Sequence, residues 1–464
     1  MTPEGNDSAR SAGWLGRDVR RARKQGETAL ARRRRDRLAA MVTHARATSP
    51  YYRELYAGLP ERIEDASLLP VTDKNRLMER FDDWVSDSRA GLDQVRALAD
   101  DPGRIGERFL GSYMVATTSG TSGRRGLFLL DDGYLNVAAA LNTRALTEYL
   151  GPTGLARATM RGWRYAQLVA TGGHYASFSS YSRLMREGGW RAKVLRAFSV
   201  HTPLPQLVDR LNSYRPAVVI GYASTVMLLA AEQEAGRLRI DPVLIQPAGE
   251  TMTQADTDRI ARAFGSTVRT FYGATECVHL SHGCSEGWYH VNSDWAVVEP
   301  VDADYRPTPP GEYSHTVLVS NLANRVQPFL RYDLGDSVML RPDPCPCGSP
   351  LPALRVQGRA GDALTFPTAH GAPVRLSPLA VSTLFDRTRG VELFQVEQAG
   401  PKALRVRLRV AAEADQDRVW QDVQQELSRL LADNALDDVT VERSDQAPQQ
   451  SPGGKYRTVI PYAP

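Results

Sequence analysis

The chain has 464 residues, of which 42% are hydrophobic and 24% charged, with a formal net charge of +4 and four cysteines. That length exceeds what one hydrophobic core sustains, so about two or three domains are expected. The small net charge excludes a strong global field toward nucleic acid, and so few cysteines exclude a secreted disulfide scaffold. The first residues are polar, and the longest apolar stretch, residues 217–231, is broken by Gly221, Tyr222, Ser224 and Thr225. Neither a secretory leader nor a bilayer span is expected, and the reading is a cytoplasmic protein with no membrane partner.

The amino end is basic: Arg17, Arg20, Arg21, Arg23, Lys24 and the run Arg32 to Arg35 alternate with Ala and Leu. This spacing suits a solvated helix face better than a nucleic-acid arm, and a helical pattern is expected from Arg20 to about Tyr56. Thr72 or Asp73 then caps a following helix. Met114 to Thr118 and Leu127 to Leu130 read as strands around a loop rich in Gly, Ser, Thr and Arg. Strands over 217–221, 243–246 and 267–271 alternate with helices over 225–236 and 256–264. This order predicts an α/β fold with a mostly parallel sheet, whose ligands gather at the carboxyl ends of the strands. Residues 295–340 turn β-rich. Beyond a hinge expected at 358–362, paired strands over 391–396 and 404–410, a helix over 417–431 and a strand over 439–442 make a smaller α+β unit.

The loop Thr117, Thr118, Ser119, Gly120, Thr121, Ser122, Gly123, Arg124, Arg125 and Gly126 concentrates hydroxyls, glycines and guanidinium groups. Glycine lets the backbone approach an anion, and successive amides there can nest around phosphate oxygens. Four further segments have matching chemistry. Phe271-Tyr272-Gly273-Ala274-Thr275-Glu276 ends a predicted strand with an aromatic face for a purine and a carboxylate for Mg²⁺. Asp336, after Gly335, suits the hydroxyls of a ribose. Gly358-Arg359 makes a turn, and Gly453-Gly454-Lys455 presents one lysine on a glycine loop near the carboxyl end.

In this order the motifs resemble the adenylate-forming (acyl-CoA synthetase) superfamily, in its phenylacetate–CoA ligase-like branch with the capsule-biosynthesis and coenzyme F390 synthetase relatives. The resemblance runs from about Leu69 to Arg457. It implies a large multi-sheet amino-terminal adenylation domain over 1–357, with a helical extension over about 1–68. It also implies a small mobile lid domain over 358–464. The implied reaction is attack of a small carboxylic acid, of aromatic type, on the α-phosphate of ATP. This gives an acyl-adenylate and pyrophosphate, followed by transfer to a thiol such as coenzyme A. An amine acceptor, activation of a small inorganic acid such as nitrite, and a non-catalytic nucleotide-binding protein stand as alternatives. By resemblance, residues 117–123 cradle the β- and γ-phosphates, with Arg124 or Arg125 supplying any positive charge. Tyr272 stacks on adenine with Gly273 at its turn, Gly249 and Glu250 line the edge, and Thr275 touches the α-phosphate. Glu276 holds Mg²⁺, Asp336 and Arg359 serve the ribose end, and Lys455 reaches the α-phosphate and the attacking carboxylate. The acid lies near His174, Tyr175, Tyr222, Ser224 and Pro247. Partners are small molecules, without nucleic acid, on a monomer or homodimer.

The chain departs from the family pattern at several points. Arg125 and Gly126 replace the Pro-Lys pair of the loop. Gly361 stands at the hinge aspartate, and Asp333 and Leu334 stand where Arg and Thr are common. The cysteines form two clusters, Cys277/Cys284 and Cys345/Cys347, with His279 and His282 between the first two. Paired thiolates in a reduced compartment suggest structural zinc. Cys284, Cys345 and Cys347 are expected as ligands, with His282 or Cys277 fourth and His282 favoured.

Overall fold

The computed structural model describes residues 6–118, 126–250, 252–359, 363–367, 373–376, 378, 381, 384–385, 388–450 and 457–462. The amino end is helical, and α1, α3 and α4 start where the sequence supplies a side-chain cap. Ser11 accepts from the Trp14 amide to open α1 (Ala12–Lys24). A positive-φ Gly26 separates α1 from α2 (Glu27–Thr48). Ser49 caps α3 (Pro50–Leu55), whose first residue is the proline that a first turn tolerates. Asp73, rather than Thr72, caps α4 (Lys74–Glu79) by accepting from the Asn75 and Arg76 amides. Thr72 is instead buried, and its hydroxyl donates to the Leu330 carbonyl at 3.0 Å. Short helices α5 (Phe81–Trp84) and α6 (Leu92–Ala99) follow. Leu15, Val19, Leu38 and Met41 of the first two helices share one core with Phe128, Trp295 and Phe329. The helical extension is thus built into the main body through a common apolar surface.

β1 (Arg108–Phe109), β2 (Tyr113–Thr117) and β3 (Leu127–Leu130) form an antiparallel sheet. The glycine-rich loop therefore links two antiparallel strands outside the parallel sheet. α7 (Asp132–Met160) contains a break at Gly151, which has φ of 56° and is followed by Pro152. The parallel sheet has the order β5 (Leu195–Ser199), β4 (Tyr165–Val169), β6 (Val218–Tyr222), β7 (Leu244–Ala248), β8 (Thr267–Val268). Its cover and connections come from α8 (Ala176–Glu187), α9 (Trp190–Val194), α10 (Leu204–Tyr214), α11 (Ala223–Glu234) and α12 (Gln254–Phe264). Val219, Ile245, Val226 and Ile260 belong to the core these elements share. β8 ends at Val268, so the expected strand over 267–271 is shorter than its apolar pattern suggested.

Two antiparallel sheets follow. One has the order β14 (Asp336–Leu340), β15 (Ala353–Arg359), β10 (Tyr289–Val291), β9 (Ser281–Gly283), and the other β11 (Ala296–Val301), β12 (Thr316–Asn321), β13 (Tyr332–Asp333). The carboxyl-terminal region pairs β16 (Leu364–Phe366) with β17 (Val374–Leu376). It also orders β20 (Thr440–Ser444), β19 (Ala403–Val410), β18 (Val391–Gly400) and β21 (Val459–Ile460) in a sheet. The helix Gln416–Asp433 buries Val419, Val423, Leu427 and Leu431, a 3.6-residue stripe. This region has its own apolar core, with Phe366, Val396, Val406 and Leu427 among its members.

The helical body and the β-rich part are joined by charge as well as by apolar contact. Arg144 of α7 donates to both carboxylate oxygens of Asp294, each at 3.0 Å, and to the Asn292 side-chain oxygen at 2.6 Å. Arg144 is 2% exposed and Asp294 fully buried. Arg37 of α2 stacks 3.6 Å above the Trp295 ring and donates to the Asp294 carbonyl at 2.8 Å and to Asp18 at 2.5 Å. The basic helices are thus a solvated face only in part. Arg32 and Arg35 are exposed, whereas Arg33 pairs with Asp18 at 3.0 Å and Arg37 turns fully inward.

Burial pushes the Asp294 carboxyl up, but the Arg144 guanidinium, its hydrogen bonds and Arg37 together outweigh it and hold the group below the usual carboxylate range. A depressed native pKa contributes stability that is complete above the unfolded value of about 4 and is lost as pH falls through the native one. Arg144→Met strands a buried carboxylate, so unfolding stability at pH 7 is expected to drop by about 3–5 kcal/mol in denaturant titration. The deficit is expected to shrink as the pH falls and the stranded Asp294 carboxyl, whose pKa burial now raises, takes up a proton. A loss under about 0.5 kcal/mol, the range of an ordinary surface substitution, contradicts this role.

Candidate functional site

At the end of β2 the Thr117 amide donates to the His174 carbonyl at 2.7 Å, and Thr117 bridges to Tyr175 in parallel fashion. The expected phosphate loop and the expected acid-binding segment therefore meet at their stems. Thr118 and Gly126 close the loop by exchanging bonds, with the Thr118 amide on the Gly126 carbonyl and the Gly126 amide on the Thr118 hydroxyl, both at 3.2 Å. Ser119, Gly120, Thr121, Ser122, Gly123 and Arg124, like Gly361 and Lys455, lie outside the described residues. His174 is buried, and Tyr175 is half-buried.

The segment after β8 forms a tight turn. The Ala274 and Cys277 backbones bond to each other at 3.2 and 3.0 Å, which puts Thr275 and Glu276 at the tip. Gly273 is required here, because a Cβ would stand 2.2 Å from the Val278 carbonyl oxygen. Glu276 is 7% exposed and accepts from the Tyr332 hydroxyl at 3.0 Å. The Tyr272 hydroxyl donates to the Asp336 carboxylate at 2.8 Å. Gly335, at φ of 76°, turns the chain into β14, and the register of β14 with β15 sets Asp336 opposite Arg359. Tyr272, Asp336 and the Arg359 backbone are thus brought to one edge, with Glu276 held on the same turn as Tyr272.

Asp333 has a local task. It accepts from the Thr316 hydroxyl at 2.5 Å, the Tyr305 hydroxyl at 3.1 Å and the Gly335 amide at 3.0 Å, so it braces the turn that delivers Asp336. On the parallel sheet, Glu250 follows the positive-φ Gly249 and accepts from the Ser224 amide and hydroxyl at 2.7 and 3.0 Å. Tyr222 ends β6, and Pro247 in β7 pairs with Gly221, beyond the point where β8 stops. Burial, with the Glu250 carboxylate adding, pushes the Tyr222 phenol up to about 12, so it stays protonated.

Behind these strand ends lies a small cavity of about 20 Å³, room for about one water. Ile220 and Gln246, cross-strand partners in β6 and β7, line it with Phe271, Tyr149, His279 and His282. Burial, with His282 adding, holds the His279 imidazole down at about 4, so it is neutral at physiological pH and can donate or accept without charge. The sequence marks His279 only as a neighbour of the first cysteine cluster, and it does not mark Gln246 or Tyr149 as site residues. A polar residue two positions before the strand end was the available signal for Gln246.

The sequence expectation of His282 beside three cysteines is corrected by the structure. Cys284, His290, Cys345 and Cys347 bring one ligand atom each within 4.8 Å of one another. The Cys284 and Cys345 sulfurs are 3.9 Å apart, and His290 Nε2 is 3.1 Å from the Cys347 sulfur. His290 Nδ1 is 2.9 Å from the Leu351 carbonyl, a contact that fixes the ring with Nε2 toward the cluster. His282 and His290 face each other across the β9–β10 hairpin, but His282 turns to Glu148 and Asn292, each at 3.3 Å. Cys277 is not in the cluster. Burial, with Glu276 adding, pushes its thiol up to about 12, so it is inert at neutral pH.

No family model matches the chain. Protein CapK of Staphylococcus aureus is 26% identical over 139 residues, which span 30% of this chain and 29% of that relative. Among solved structures, 2-hydroxyisobutyryl-CoA ligase in its postadenylation state, in complex with 2-HIB-AMP, superposes with a TM-score of 0.65. The match is 20% identical and covers 94% of this chain and 89% of that one. The anthranilate CoA ligase AuaEII superposes with a TM-score of 0.51 at 14% identity, over 74% of this chain and 65% of that one. The chain has the mixed α/β, multi-sheet fold of the adenylate-forming enzymes.

Proposed function

We propose that this chain, built on the fold of adenylate-forming enzymes, activates a small carboxylic acid with ATP and passes the acyl group to a thiol. The observation that carries the reading is the joining of Tyr272 to Asp336 and of Tyr332 to Glu276 around one turn. An aromatic face, a carboxylate suited to a ribose and a carboxylate suited to a divalent cation thereby share one edge. The family resemblance of the motifs and the superposition on a ligase held with an acyl-adenylate support the same reading.

The acid carboxylate oxygen bonds to the α-phosphorus of ATP, and the bond to pyrophosphate breaks. A thiolate then bonds to the acyl carbon, and AMP leaves. Tyr272 would stack on the adenine beside Gly249 and Glu250, and Asp336 would accept from the ribose hydroxyls. Glu276 would hold Mg²⁺, which neutralises phosphate charge when bound. The hydroxyls and amides of residues 117–123, with Arg124, would receive the departing phosphates, and Thr275 would meet the α-phosphate. Lys455 would lie between the two approaching anions, where a cation is worth most. The lid reading of residues 358–464, with Gly361 at the hinge, supplies the movement that brings Lys455 in.

The acyl group would pass His174, Tyr175 and Tyr222 at the ends of β6 and β7. The aromatic rings there support an aromatic or otherwise compact acid. A second reading, which the family resemblance also allows, is activation of a small inorganic acid such as nitrite without coenzyme A.

Two outcomes are expected. Pyrophosphate release should depend on a small carboxylic acid, and Lys455→Ala should lower it at least about a hundredfold while ATP still binds. Release unchanged in that variant removes the lysine from the reaction, and product formation that ignores coenzyme A favours the second reading. The Cys₃His cluster fits zinc in ligand type, and its 3.9 Å sulfur spacing is close to the edge of about 3.8 Å expected for a tetrahedral thiolate site. Purified protein is expected to hold about one equivalent of zinc, to lose it in His290→Ala and to retain it in His282→Ala. Less than about half an equivalent in the wild type overturns the zinc assignment.

A further inference from the structure

A second concavity, of about 360 Å³, opens between the last turns of α1, the middle of α7 and the cysteine cluster. Five cations line it: Arg20, Arg23 and Lys24 from α1, Arg144 from α7 and Arg269 just beyond β8. Glu148 is the one carboxylate among the lining residues. It is already shared, 3.0 Å from Arg23 Nε and 3.3 Å from His282 Nε2. The partial negative charge at the carboxyl end of α1 accounts for Arg23 and Lys24 standing in its last turn. Arg144 answers to Asp294, but neither effect accounts for Arg269, which reaches the same cleft from beyond β8.

Arg20, Lys24 and Arg269 keep donors available in this wall. Arg144, 2% exposed, is committed through both Nη atoms to Asp294 and Asn292, so it shapes the wall without adding free charge. Arg23 Nε is paired with Glu148 at 3.0 Å and buried, so further contact from Arg23 falls to its terminal nitrogens. Arg20 bonds its Nε to the Gly16 carbonyl at 2.9 Å, which leaves its terminal nitrogens to the cleft mouth, and Arg269 bonds the Val268 carbonyl through one. Lys24 is exposed and has no ion-pair partner among the described residues. The forked donors of arginine match phosphate oxygens in geometry as well as charge. A concavity of this volume is the size of a small-ligand site. The exposed Arg32 and Arg35 that would extend a nucleic-acid track are not in its wall.

We propose that this cleft is a binding site for a small phosphorylated anion, held by Arg20, Arg23 and Lys24 of α1 against Arg269. Calorimetric titration of the full chain with inorganic phosphate at about 0.15 M salt, where surface charge is screened within about 8 Å, tests it, since orthophosphate neither mimics the triphosphate of the proposed nucleotide site nor strips a metal from the cysteine cluster. The wild type is expected to bind. Arg20→Ser/Lys24→Ser is expected to bind at least about tenfold more weakly, the scale of losing a charge-assisted bond. Arg269→Ser, on the facing wall, should weaken binding independently. Circular dichroism and thermal melting confirm that each variant folds, and the readout needs no turnover. No binding by the wild type at millimolar phosphate, or an unchanged affinity in both variants, overturns the proposal.

Discussion

The buried Arg144–Asp294 pair is the constraint on which the arrangement of the molecule depends. It ties α7, whose Ala145, Tyr149 and Leu150 share a core with Val218 of β6 and Leu244 of β7, to the segment at residues 292–295 that leads from the β9–β10 hairpin into β11. Arg37 joins α2 to the same segment through the Asp294 carbonyl and the Trp295 ring. A pair of this kind gains little net stability over an apolar replacement, because both ions lose their water. Its effect is one of geometry: Asp294 tolerates burial only with the guanidinium in place, so α7 and the hairpin have one permitted register. Asn292 extends the tie, since it receives Arg144, stands 3.3 Å from His282 and donates to the His279 carbonyl at 2.7 Å.

The candidate site is assembled at the boundary this tie fixes. The parallel sheet supplies Tyr222 and the Ser224–Glu250 bracket at its strand ends. The turn after β8 supplies Tyr272 and Glu276, and the antiparallel sheets supply Tyr332 and Asp336. None of these layers holds the whole set. The Tyr272–Asp336 and Tyr332–Glu276 bonds cross between them, so correct juxtaposition of the sheets is a condition for the site. The cysteine cluster has a similar logic. Pairing of His290 with Ala353 in β15 carries the Cys345–Cys347 segment to the hairpin, and a metal there would pin the same sheet that carries Asp336.

Much of this was legible in the sequence where local pattern and tertiary demand agree. The strands at 113–117 and 218–222 and the helix at 416–433 follow from apolar period and caps, as does the parallel sheet from strand–helix alternation. The turn from Phe271 to Glu276 was legible because Gly273 and the terminal carboxylate mark a site whatever the packing. The fourth residue of the cysteine cluster was not. His282 and His290 are direct partners on one hairpin, and only the approach of β15 and of Glu148 from α7 separates their roles. Arg37 and Arg144 were likewise hidden, because an arginine in a basic helix reads as solvated until its buried acid, distant in sequence, is known. Asp333, a departure from the family pattern, makes sense only once the Thr316 hydroxyl and Gly335 amide it braces are in view.

The central claim is that these sheets combine to make an acyl-adenylate. Its most direct test is to supply an acid carrying oxygen-18 in its carboxylate, with ATP and the acceptor thiol, and to weigh the nucleotide product. Attack at the α-phosphorus followed by thiol displacement leaves one carboxylate oxygen on AMP, so labelled AMP in step with product is the predicted result. Label in inorganic phosphate with ADP as the nucleotide, or unlabelled AMP, would contradict the account.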